Sequence, residues 1–391
     1  MKYTKIFLVT ILLASQAICS SKKVSQGCND FACNMYQQLK KENGNLFFSP
    51  HSITTALSSA YAGSRGITET EMSNVLCNSL SQDKFHPAYA STIDKLNQSN
   101  SKYKLEIANK VFVQDGYEIL DSFKQTIRSN YGAAFDILDF INKPVEASNV
   151  INSWVYNKTH KKINNIVSPK LFNVNTRMVI ANAIYFKGTW AKQFEKADTI
   201  PRTFHIDKNG KVDVDMMQQK SHFNYMENDD LKMLELPYEG DRLSMFVVLP
   251  KEIDGLKNIE QKISGQMLNN CFSQLKNMEV NVTLPKFKLE TSYELNSSLQ
   301  QMGMPSAFNY SANFSGISGS KDLFMSNVLH KAFIETNEKG TEAAAATAII
   351  ISTTCVRKHK IFNANRPFIF FIKDKLTDLI LFIGRINNPK A

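Results

Sequence analysis

The chain has 391 residues, of which 43% are hydrophobic and 21% charged, and its formal charge is +10. That composition excludes a disordered or fibrous chain and supplies ample material for a large core. The positive residues are scattered, and "KTHKKI" and "RKHK" are the tight groups. No basic motif with interleaved aromatics signals nucleic acid. A solvated basic surface is the expectation, with contact to a sulfated polysaccharide a weaker reading.

The N-terminal stretch "MKYTKIFLVTILLASQAICSS" has Lys2 and Lys5 ahead of an apolar run from Ile6 to Ala14. Ala17 and Cys19 then occupy the small-residue positions before a cut. Residues 1–19 read as a secretory signal peptide. The run is too short to span a bilayer, and no other segment reaches that length. The expected product is soluble, secreted and extracellular, with no membrane contact. Its charge falls from +10 to +8 with the loss of Lys2 and Lys5. Removing Cys19 from six cysteines leaves five, Cys28, Cys33, Cys77, Cys271 and Cys355, so at least one thiol stays unpaired. Cys28 and Cys33, inside one helix, would face different sides and could not bridge. No CxxC or Cys/His group has zinc spacing, so no metal is expected.

Phe31, Met35 and Leu39 recur at helical spacing. "KLEIANKVFV" reads as a strand with Leu105 and Ile107 on one face. A second amphipathic helix is expected to carry Ile151, Trp154 and Val155, then Ile163 and Ile166. "MVIANAIYF", Met178 to Phe186, is nearly all apolar, as suits a strand buried on both faces. "LSMFVVLP" and "LILFIGRI" are similar, and turn signals such as Glu239-Gly240-Asp241 separate strands. Helices come mostly first and strands later, which predicts an α+β fold with large sheets. No Pro/Gly/Ser-rich linker or internal repeat divides the chain, so residues 20–391 read as a single domain. Six Asn-x-Ser/Thr sequons, at Asn97, Asn157, Asn281, Asn296, Asn309 and Asn313, are glycosylation candidates in an exported chain. Asn97, in a polar stretch, is favoured over Asn157 and Asn281, which fall in regular elements.

Catalytic chemistry is hard to find. There is no GxSxG; "GISGS" at Gly316–Ser320 places its glycines wrongly for a nucleophile elbow. There is no phosphate-binding GxxxxGK[ST] or GxGxxG. The seven histidines are dispersed, and His330 in "VLHKAFIET" reads as a satisfied core histidine rather than a base. No catalytic residue and no cofactor is expected; the chain does not read as an enzyme.

The most informative stretch is "NEKGTEAAAATAIIISTTCVRKHK", Asn337 to Lys360. Its alanines favour helix, while its isoleucines and threonines favour strand. Read as a strand, Thr341, Ala343, Ala345, Thr347, Ile349 and Ile351 point to one side. All are small or β-branched, so the segment could enter a sheet without burying a charge. Gly340 supplies the flexible point.

"NEKGTEAAAATA" resembles the hinge of inhibitory members of the serpin family. "NLFFSPHSITTALSSAYAGSRGITETEM" (45–72), "ANAIYFKGTWAKQFE" (181–195), "LPKFKLE" (284–290), "FNANRPFIFFI" (362–372) and "GRINNP" resemble other family motifs, in order, across essentially the whole mature chain. The resemblance implies three β-sheets, about nine helices and an exposed reactive loop at about residues 338–361. It implies a monomer that inhibits a serine protease as a suicide substrate. The protease forms an acyl-enzyme at the loop, which then inserts into the central sheet and traps the enzyme as a covalent complex. By the same resemblance the hinge is Glu338, Gly340, Thr341 and Ala343, Ala344, Ala345 and Ala346. Lys286 matches the salt-bridge partner of Glu338, and Trp190 the tryptophan beside it. Ser49, Ser52, Asn182 and His330 match a buried cluster beneath the separating strands. Counting seventeen from Glu338 implies Thr354-Cys355 as the reactive bond, with Arg357-Lys358 as the rival. A non-inhibitory carrier, chaperone or storage protein is the alternative. The small residues at Thr341 and Ala343–Ala346 argue against it, since non-inhibitory relatives often carry charged or bulky ones. A target among cysteine proteases is a weaker variant.

Overall fold

A computed structural model describes residues 2–97, 103–131, 135–341 and 359–391, with the backbone alone for residues 2–18 and Ile107. The described helices are α1 (Lys2–Leu39), α2 (Pro50–Tyr61), α3 (Gly66–Val75), α4 (Gln82–Asn97), α5 (Asp121–Tyr131), α6 (Pro144–Lys158), α7 (Leu256–Lys262), α8 (Gly265–Ser273), α9 (Asn296–Met302) and α10 (Ser315–Ser318). The strands begin with β1 (Leu46–Phe48), β2 (Tyr103–Gln114), β3 (Phe135–Leu138), β4 (Met178–Thr189), β5 (Ile200–His205), β6 (Lys211–Glu227), β7 (Leu231–Pro237) and β8 (Leu243–Pro250). They continue with β9 (Lys276–Pro285), β10 (Phe287–Glu294), β11 (Met325–Asn337), β12 (Gly340–Thr341), β13 (Lys360–Asn363), β14 (Phe368–Asp374) and β15 (Ile380–Ile386). Among the described residues no helix is long and apolar enough to cross a membrane.

The strands form two hydrogen-bonded networks. The first runs β1-β15-β14-β8-β7-β6-β9-β13, with β5 on β6. The 17-residue β6 divides it into two arms. Tyr225 to Glu227 pair with β7, and Met216 to Tyr225 pair with β9. The six-stranded sheet runs β10-β11-β12-β4-β2-β3, and β11 and β4 also pair directly. This is the α+β arrangement expected from the sequence.

Strict alternation builds the six-stranded sheet. On β4, Met178, Ile180, Ile184 and Phe186 enter the main core. Val179, Ala181, Ala183 and Tyr185 turn the other way, into a second cluster with Ile151 and Val155 of α6. Every residue from Met178 to Phe186 is therefore buried, as the unbroken apolar run predicts. Helix α2 covers the inner face. Ser49 caps it by accepting from the Ser52 amide, Pro50 opens its first turn, and all twelve of its residues are buried.

One expected element is shorter than its periodicity suggests. α6 stops at Lys158, so Ile163 and Ile166 lie beyond it. His160 and Lys161 take left-handed φ values of 50° and 67°, and the Thr159 hydroxyl donates back to Val155 O while accepting from the Ile163 amide. These contacts end the helix, yet Ile163 and Ile166 still join the same apolar cluster. Helical spacing and burial coincide there without a helix. Cys28 and Cys33 both lie on α1, and neither is bonded to another cysteine.

Candidate functional site: the mouth of the six-stranded sheet

β11 runs parallel to β4, paired from Met325↔Met178 to Phe333↔Tyr185. Above that the two strands part, and β12 occupies the gap. Gly340 pairs with Asn337 on one side and Thr189 on the other; Thr341 pairs with Thr336 and Gly188. Both pairings are antiparallel. The chain thus turns back through Glu338 and Lys339 and places Gly340 and Thr341 between β11 and β4.

Local chemistry explains the turn. Gly340 has φ of +142°, and a Cβ there would sit 2.1 Å from Gly188 O and 2.8 Å from Thr189 Cα. Only glycine fits this approach. The Asn337 side chain accepts from the Lys339 amide at 3.1 Å, tightening the reversal. Thr341 is fully buried, and its hydroxyl meets Tyr238 Oη at 2.9 Å. Tyr238 in turn stacks on Trp190, with ring centroids 4.5 Å apart. Trp190 donates from Nε1 to Asn337 O at 3.0 Å and from its backbone amide to Lys339 O at 2.8 Å. Lys286 Nζ lies 3.1 Å from Glu338 Oε1. Burial pushes the Glu338 carboxyl up, but its own backbone amide and Lys286 outweigh that and hold it below its ordinary range. Glu338, Lys286, Trp190, Gly340 and Thr341 are therefore gathered at one place.

A second group lies lower, where β11 and β4 still touch. Ser49 N donates to His330 Nε2 at 3.1 Å. That nitrogen must be unprotonated, so the proton sits on Nδ1, which donates to Asn182 Oδ1. Asn182 Nδ2 donates to Ser52 Oγ and Asn109 Oδ1, Ser52 Oγ donates to Asn109 Oδ1 at 3.0 Å, and Ser49 Oγ donates to Leu381 O at 2.6 Å. His330 is fully buried, which pushes its pKa down to about 3 and keeps the ring neutral. Ser49, Ser52, Asn182 and His330 thus form one network with Asn109. The His330–Asn182 bond crosses the β11/β4 seam, so no strand can enter there without replacing it.

Two residues of this site carry no motif in the sequence. Tyr238 follows an apolar strand and reads as core. Asn109 is a lone amide in an otherwise apolar inward row of β2, which is the signal that could have found it. Ala343–Ala346 and both candidate bonds, Thr354-Cys355 and Arg357-Lys358, lie outside the described residues. Among the described residues no group of three or more His, Cys, Asp or Glu is placed to hold a metal.

The sequence profile described as "Serpin (serine protease inhibitor)" matches residues 26–389. A leukocyte elastase inhibitor of Xenopus tropicalis is 40% identical over 378 residues, covering 94% of this chain and 100% of its own. Serpin48 of the insect Tenebrio molitor superimposes with a TM-score of 0.85 at 36% identity, covering 94% of this chain and 98% of its own. Human thyroxine-binding globulin does so at 0.87 and 30%, covering 95% and 99%. The parted strands and their buried network are thus carried by a chain that belongs to the serpin family.

Proposed function

We propose that the protein is a secreted inhibitor of serine proteases that works by loop cleavage, acyl-enzyme formation and insertion of the loop as a new strand of the six-stranded sheet. The observation that carries this reading is β12. Two hinge residues already pair with both flanking strands. Continuing that register downward, Thr347 would come opposite His330 and Asn182, and Ile351 opposite Met178. All three of Thr341, Thr347 and Ile351 would face inward, and none brings a charge. From Gly188 to Met178 the strand covers about 33 Å at roughly 3.3 Å per residue. An acyl-enzyme attached beyond Ile351 would be carried that far from the mouth. The leader pattern at residues 1–19 supports export.

Incubation with a panel of serine proteases tests the reading. A complex that survives denaturing electrophoresis is expected, releasing a C-terminal peptide that begins at Cys355. A peptide beginning at Lys358 would move the bond to Arg357-Lys358 and the target to a trypsin-like enzyme. Clean cleavage by every protease, with no complex, would favour the non-inhibitory alternative, of which a binding globulin among the relatives is the precedent.

A further inference from the structure

We propose that Asn309 carries an N-linked glycan, placed at the pole of the molecule where the inserted loop would end. The inference rests on the export reading above. Of the sequons lying wholly within the described residues, Asn309-Tyr310-Ser311 alone has all three residues exposed, Tyr310 at 74%. The others fail in particular ways. Thr159 of the Asn157 sequon is fully buried, its hydroxyl held by Val155 and Ile163. Asn281 is exposed, but Val282 and Thr283 are buried in β9 between two paired strands. Asn296 and Ser298 are only half-exposed, and the Asn296 amide is tied to the start of β11 through Ser326 O and the Val328 amide. Phe314, the middle residue of the Asn313 sequon, is fully buried. A glycosyltransferase can reach such sites only before they fold, whereas the Asn309 sequon stays open afterwards.

The local geometry suits transfer. Asn309 Oδ1 accepts from the Ser311 amide at 2.7 Å, folding the side chain back toward the hydroxyl residue. Asn309 Nδ2 donates to Pro305 O at 3.0 Å; an amide nitrogen has two hydrogens, so this bond can persist when the other is replaced. The co-reactant is a lipid-linked oligosaccharide diphosphate. Asn309 Nδ2 forms a bond to C1 of its first sugar, and the C1–O bond to the diphosphate breaks. The lipid diphosphate leaves with the electron pair, and Asn309 gives up one amide proton.

The position matters for the mechanism. Tyr310 Oη donates to Asn175 Oδ1 at 3.3 Å, and its ring meets Phe324 at 5.2 Å. Asn175 precedes the start of β4, and Phe324 the start of β11. The glycan would therefore stand where β4 and β11 begin, at the opposite end of the sheet from the mouth.

The test is expression of the full chain in a secreting eukaryotic host. Peptides are mapped by mass spectrometry after peptide N-glycosidase treatment, and the mature N-terminus is read in parallel. Conversion of Asn309 to aspartate by the enzyme is expected. Asn309→Gln and Ser311→Ala should each remove one glycan's mass from the secreted protein; the second variant keeps the Asn309 turn in case the first misfolds. A cleaved leader with Asn309 bare overturns the glycan and leaves the export reading intact. A retained leader with every sequon bare overturns both.

Discussion

If the protein inhibits as proposed, replacing Thr341 with arginine should convert it from an inhibitor into a substrate. Thr341 is fully buried between Thr336 and Gly188, its hydroxyl on Tyr238. The substitution removes that hydrogen bond, worth about 1 kcal/mol. It also asks a guanidinium to enter the buried space beside Tyr238, whose ring packs on Trp190 and Phe186. An unpaired charge there costs roughly several kcal/mol more. The hinge will instead leave the sheet, and insertion must begin against that penalty. A barrier raised by about 3 kcal/mol slows insertion roughly a hundred-fold. A partition of about ten to one for trapping would then become about one to ten. The assay is the ratio of covalent complex to cleaved protein on denaturing gels, with Thr341→Val as the control. Valine keeps the shape, loses only the hydrogen bond, and should keep most of the complex. Unchanged complex yield in Thr341→Arg would refute the reading that insertion proceeds through the buried site of Thr341.

Cleaving the loop between Ile351 and Lys358 should raise the melting temperature, because a hydrogen-bonded strand is added to the sheet; a level or lower temperature after a clean nick would count against insertion. Gly340→Ala should lower the denaturant midpoint, by about 1–3 kcal/mol of stability, since the new methyl meets Gly188 O and the backbone is left-handed; an unchanged midpoint would show that β12 is dispensable. Burial pushes the pKa of His330 down to about 3 and those of His51 and His86 to about 4. Unfolded histidine titrates near 6.5, so the unfolded chain takes up protons first as pH falls. The stability these three rings contribute is full above about pH 6.5 and declines below it, by about 4 kcal/mol per pH unit for the three together near pH 5. Urea midpoints between pH 7 and 5 measure this, and His330→Gln should flatten the slope by about a third.

Much of the architecture was legible because it depends on residue pattern. The apolar run at Met178–Phe186 suits a strand covered on both faces, and α2 and α6 are the covers. The segment that the family resemblance marks as a hinge stands out in composition, with small residues after a single glycine. What could not be read was how far the hinge already sits inside the sheet. Thr341 is compatible with a loop or a strand, and its burial depends on Tyr238 and Trp190, which reach it from far along the chain. The limit of α6 was missed for a related reason. Ile163 and Ile166 keep helical spacing, but the left-handed turn at His160 and Lys161 is set by side-chain bonds of Thr159 that no periodicity reports. Asn109 was missed because its partners come from α2 and β4, and only the folded sheet brings three amides and hydroxyls together.

The pairing of β1 with β15 has a consequence for the order in which the protein can be made. Leu46 lies opposite Arg385, and β15 sits between β1 and β14. Arg385 also binds Glu260 at 2.9 Å and the Glu42 carbonyl at 2.6 Å. An early strand therefore waits for a segment synthesised long after it. The six-stranded sheet uses residues that emerge earlier, ending at Thr341. Pairings so distant in sequence form slowly, because a long loop must close before any contact rewards it. For the interval in which residues 342–358 have been synthesised and β15 has not, the seam between β11 and β4 is exposed to its own loop without the rest of the core to hold it. Slow elongation between residue 342 and β15 would lengthen that interval, and the yield of the native fold should fall with it.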